Sequence, residues 1–109
     1  MLPTGFHKGF AAIGVIALAG CASLENAAPP VTPALLATGG GSLQTLEEGR
    51  RIFTGACVAC HSAEPVSKHS SAEWRSIVAE MAPRAKLTPA RQSALLAYIL
   101  AAKATPPAP

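Results

Sequence analysis

The sequence predicts an all-α fold built on three main helices. Apolar residues recur at helical spacing in three segments between residues 42 and 103, and each segment opens on a helix-start signal. Strict alternation of apolar and polar residues, the mark of a half-buried strand, is found in none of them. At 109 residues, with a strongly biased first forty, the chain holds one small domain at most.

Residues 1–20 read as an export signal. Lys8 charges a short n-region, and Phe10 to Gly20 is an uninterrupted apolar run. Such a run is too short to span a bilayer, which takes roughly 20 apolar residues, and suits a signal h-region of about 7–15. The run ends in LAGC, Leu18 to Cys21. This resembles the lipobox of bacterial lipoproteins, which implies cleavage before Cys21 and attachment of lipid to that cysteine. The alternative is ordinary cleavage nearby, with Gly20 and Ala22 as the small residues. Either way the expected compartment is the periplasm, and the lipid would hold the chain to a bacterial membrane. Ala22 after the cysteine resembles the outer-membrane sorting pattern.

Residues 21–41 are expected to be a tether rich in Pro and Gly, with at most a helical turn at Pro33 to Ala37. As a flexible chain of about 20 residues it would span roughly 25 Å. The first main helix is expected from Thr45, with Glu48 completing a capping box, and carries Leu46, Gly49 and Phe53. The second begins at Ser70, with Glu73 as its capping partner, and carries Trp74, Ile77, Val78 and Met81 at i, i+3, i+4 and i+7. Pro83 is expected to stop it. The third takes Thr88 as N-cap and Pro89 as first helical residue, with Leu95, Tyr98, Ile99 and Ala102 as its stripe. Residues 104–109 read as a disordered tail.

The domain of residues 42–103 is thin. About 60 residues with one Trp, one Tyr and one Phe bury little apolar area, and chains of this size usually need a staple. Three cysteines is an odd count for an oxidising compartment. The lipobox uses Cys21, which leaves Cys57 and Cys60 to one site.

These two cysteines belong to CVACH, Cys57 to His61. C-x-x-C-H is the attachment signature of c-type haem. Residues three apart on a helical turn share a side, so both thiols can form thioethers with the vinyl groups. His61, four residues after Cys57, can reach the iron as proximal ligand. A disulfide redox pair would want a βαβ context, and a structural zinc site four ligands, for which only Cys57, Cys60, His61 and His69 are at hand. A covalently attached macrocycle also supplies the missing staple.

With this motif the chain resembles the class I cytochromes c, in particular the small, exported, one-haem bacterial kind, over Leu46 to about Ala102. The resemblance implies a first helix with Gly49 and Phe53 crossing a last helix with Leu95 and Tyr98. It implies a methionine as distal iron ligand, and with Met1 in the signal only Met81 is available. The 20 positions from His61 to Met81 are fewer than in many members of the family. His69, Lys68 or an open position are the alternatives. Trp74 is expected to pack at the haem edge, where the resemblance implies an N–H bond to a propionate. Arg84 and Lys86 are expected in a solvated loop, from which they can pair a propionate or steer an acidic partner.

The function this implies is electron transport: a one-electron carrier with one covalent haem and His/Met ligation, passing electrons between protein redox partners and performing no catalysis of its own. The alternatives are a haem enzyme of peroxidase type or a gas sensor with an open or bis-His iron, and a docking subunit of a larger oxidoreductase. A formal charge of +3, or +2 without Lys8, with no basic run or aromatic-interleaved patch, gives no case for nucleic acid.

Overall fold

Four helices and one 3₁₀ turn make up the described part of this chain, a computed structural model covering residues 27–55 and 64–106. They are α1, Pro33–Leu36; α2, Leu43–Thr54; the turn Val66–Lys68; α3, Ser71–Arg84; and α4, Pro89–Ala104. No strand occurs among the described residues, and the fold is all-α. No helix among them is long and apolar enough to cross a membrane.

α4 is the central element. Its start follows the sequence expectation: Thr88 is extended, its side chain accepts the Arg91 N–H, and Pro89 opens the helix, where its missing N–H costs nothing. Leu95, Tyr98, Ile99 and Ala102 are all buried. α2 makes the most extensive contact with it, α3 the next.

The α2–α4 crossing depends on Gly49. A Cβ built there would fall against the Ala94 carbonyl oxygen, 2.5 Å from Tyr98 Cβ and 2.9 Å from Ala94 C. Only a residue without a side chain lets the two backbones come this close. One turn on, the Phe53 ring lies 6.0 Å from Tyr98 and 5.9 Å from Trp74 of α3, the latter edge-on. Leu46 and Tyr98, both 0% exposed, complete the seam. Gly49 and Phe53 therefore meet the Leu95–Tyr98 part of α4, as expected, with Ala94 as the closest backbone neighbour.

Three local expectations are corrected. The cap of α2 is Ser42, not Thr45: its hydroxyl accepts the Thr45 N–H at 3.1 Å, and Thr45 lies inside the first turn. Glu48 is consequently free of the capping role and bonds Arg51 at 2.5 Å and Arg91 at 3.2 Å. Pro83 does not stop α3, which runs to Arg84. In the last turn a proline forfeits one helical bond, and the end is closed by other means. Leu87 N–H bonds Ala82 O at 2.9 Å and Lys86 N–H bonds Pro83 O at 3.2 Å, the paired bonds of a Schellman cap. Lys86, expected in a loop, is the left-handed residue of that cap, with φ 54°. An L-residue there costs roughly 1–2 kcal/mol, partly offset by the lower chain entropy of a non-glycine when unfolded. Lys86→Gly should stabilise the fold by about 0.5–1 kcal/mol in urea titration.

The third correction concerns the tether. Residues 27–41 lie against the helices. Ala27, Ala28 and Leu35 are buried, Leu35 to 1% exposure, and α1 packs on α4. The Arg50 guanidinium donates to Ala28 O and Pro29 O, Nε at 3.2 and 3.1 Å and Nη2 to Ala28 O at 3.1 Å. Tyr98 Oη donates to Pro29 O at 2.6 Å. α1 itself matches the expected turn, with Thr32 as cap and Ala37 just beyond its end.

Burial pushes the Tyr98 hydroxyl from its ordinary 10.0 up to about 12, against the opposing pull of Arg50. The folded state therefore favours the neutral hydroxyl. The stability this contributes is complete below about pH 10 and is lost as pH rises towards about 12. An alkaline titration followed by circular dichroism should show that loss, and Tyr98→Phe should remove it.

Candidate functional site

The two ends of the segment that carries CVACH are fixed by the core. On the near side α2 closes at Gly55, whose N–H bonds Ile52 O at 3.2 Å. On the far side the chain resumes at Glu64 and enters the turn Val66–Lys68, with Val66 buried. Trp74 joins the two. Its ring meets Phe53 of α2, and its Nε1–H donates to Val66 O at 2.8 Å. Cys57, Cys60 and His61 lie in 56–63, outside the described residues, and so does Cys21 with the whole export signal.

Trp74 is buried at 4% exposure. Indole has a single donor, and here it is taken by Val66 O, so the propionate bond implied by the family resemblance has no free donor in this arrangement. The ring face remains a packing surface between Phe53 and His69, whose ring stands edge-on at 5.0 Å.

Met81 sits in the last turns of α3. The helix face read from the sequence as one stripe divides in two. Trp74, Val78 and Ala82 point into the core, while Ile77 and Met81, one turn apart, are half-buried. Ile77 packs at the edge of the core. The Met81 thioether is thus on a helix held firmly at both ends: at its start by the Ser70–Glu73 capping box, with reciprocal bonds of 3.1 and 2.9 Å, and at its end by the Schellman cap.

Both nitrogen rivals to Met81 are engaged by one carboxylate. Glu64 Oε2 meets His69 Nε2 at 2.9 Å, and Glu64 Oε1 accepts from Lys68 Nζ at 2.9 Å. His69 Nδ1 lies 3.9 Å from Glu73 Oε2. The Lys68 bond, with the His69 bond next, holds the Glu64 carboxyl below its ordinary range. The Ser70 backbone and hydroxyl do the same for Glu73. Glu64 was not among the sequence candidates. Its signal was the Glu–Lys spacing of four, Glu64 to Lys68, in a stretch dominated by the cysteine motif.

Among the described residues no group of three or more His, Cys, Asp or Glu is arranged to hold a metal ion. A thioether such as that of Met81 is a soft donor, suited to haem iron and poorly suited to hard cations. Compared with known proteins, the chain matches no family model, no curated protein and no solved structure.

Proposed function

We propose that this chain is a one-electron carrier of the periplasm, with one c-type haem held by Cys57 and Cys60 and iron ligands from His61 and Met81. One observation carries the proposal. CVACH directly follows a glycine-bearing helix that crosses the last helix, while a methionine the core does not use stands on the helix between them.

The haem would supply iron that gains and loses one electron. The chain's own residues do the rest. Cys57 and Cys60 would hold the ring covalently. His61 would give an imidazole nitrogen and Met81 a sulfur, and sulfur raises the potential relative to two imidazoles. Phe53, Trp74 and Ile77 offer apolar surface that excludes water, one of the means by which a protein sets potential. The Glu64 bonds keep His69 and Lys68 occupied, which favours the thioether. With His61 and Met81 both holding the iron, no place for a substrate would remain there, and the protein would exchange electrons with redox partners. Cys21, acylated, would fix it to a membrane.

Expression of the full chain with a c-type haem maturation system tests this. We expect a mass increase of one haem and, in the oxidised protein, the far-red absorption band of sulfur-to-iron ligation. Rapid, complete carbon monoxide binding to the reduced protein would favour an open-site enzyme or sensor instead. Exported protein with a Cys57–Cys60 disulfide and no tetrapyrrole would overturn the proposal.

A further inference from the structure

The root of the expected membrane tether is bonded to the body of the protein. Ala27 and Ala28 are buried, and the carbonyls of Ala28 and Pro29 receive the Arg50 guanidinium. Pro29 O also accepts the Tyr98 hydroxyl, and Leu35 of α1 closes the other end against α4. Residues 27–36 thus act as a strap, gripped by side chains from both crossing helices.

This changes the reach of any anchor at Cys21. A tether free as far as Ser42 would have twenty-one peptide steps and span at most about 75 Å. With the strap docked, the six steps from Cys21 to Ala27 set the reach, at most about 22 Å. The point of departure is also fixed. It lies beside Arg50, five residues before Gly55, or about 8 Å along the axis of α2 from the end at which the CVACH segment leaves.

We propose that the strap of residues 27–36 holds the protein close against a lipid bilayer, within the reach of the six steps that separate Cys21 from Ala27. This rests on the lipid-anchor reading of Cys21. Redox partners embedded in or lying on that membrane are then the ones within reach. A carrier on a tether free as far as Ser42 would instead range about three times farther from the surface.

Two measurements test the two parts separately. In the unlipidated Cys21→Ser chain, hydrogen exchange should show protection of the Leu35 to Thr38 amides. Arg50→Gln combined with Tyr98→Phe should raise exchange there at least tenfold while α4 stays protected. Unprotected amides in the Cys21→Ser chain would overturn the strap. The acylated chain is then placed on supported bilayers of phosphatidylethanolamine and phosphatidylglycerol, and neutron reflectometry gives the gap between headgroups and protein. The gap should be below about 22 Å. It should widen both in the double variant and on inserting about 15 Gly/Ser residues between Asn26 and Ala27. A gap as wide without the insert as with it would overturn the close seat. If the processed chain does not adsorb at all, the anchor at Cys21 is wrong and the inference fails with it, while the docked strap stands on the exchange data.

Discussion

Gly49→Ala should destabilise the folded chain by about 3 kcal/mol, at the upper end of overpacking penalties. The new methyl would meet the Ala94 backbone and Tyr98 Cβ, the latter at 2.5 Å. Neither can yield cheaply. Ala94 is main chain in the middle of α4, and the Tyr98 ring is fixed by Phe53 while its hydroxyl is bonded to Pro29. The helices would have to separate, and the Leu46, Leu95 and Tyr98 contacts would loosen together. Alanine's better helix propensity returns only about 1 kcal/mol. For a domain of this size a 3 kcal/mol loss corresponds to a Tm drop of more than about 12 °C. Thermal melts of wild type and variant in the same ligation state decide the matter, and an unchanged Tm would show that the crossing is looser than described.

Met81→Ala should have the largest effect on the proposed redox chemistry. We expect loss of the far-red band and carbon monoxide binding to the reduced protein. The reduction potential should fall by on the order of 0.1 V or more, within the roughly 0.8 V that axial ligands span. The fold should survive. Met81 is half-buried, so its truncation costs less than the 2–5 kcal/mol typical of a fully buried methionine. His69→Ala is the matched control, because that imidazole is bonded to Glu64, and it should leave the band in place. If Met81→Ala keeps the band and His69→Ala abolishes it, the ligand assignment is reversed.

What the sequence disclosed and what it hid follow a physical division. The start of α4 was legible because Thr88 and Pro89 act within one turn of each other. The start of α3 was legible for the same reason, through Ser70 and Glu73. The Gly49 crossing was legible through the family resemblance, and its cause became visible only when Ala94 and Tyr98 were seen against it. The cap of α2 was misread because Ser42 and Thr45 are both good caps three residues apart, and the choice depends on where the preceding Gly39–Gly41 turn delivers the chain. Pro83 was misread because proline is costly in a helix interior and tolerable in a last turn closed by a Schellman cap. The docking of residues 27–41 left no pattern at all. It is made by main-chain carbonyls, by two alanines and by one leucine two residues after a proline, none of which produces a period. Of the candidate site, Met81 was named through the family resemblance and Trp74 through its place on the α3 stripe, whereas the engagements of Trp74 with Val66 O and of His69 with Glu64 are tertiary contacts.

Tyr98 joins parts of the chain that are made at very different times. Its ring seats Phe53 and Gly49, and its hydroxyl holds a carbonyl 69 positions earlier. During synthesis Pro29 therefore lacks its Tyr98 partner, and Gly49 the helix it crosses, until the last helix has left the ribosome. Contacts so distant in sequence slow closure, because the loop must form before any bond rewards it. Under the export proposed above, this delay would keep the crossing of α2 and α4 open until the chain has passed its translocation pore.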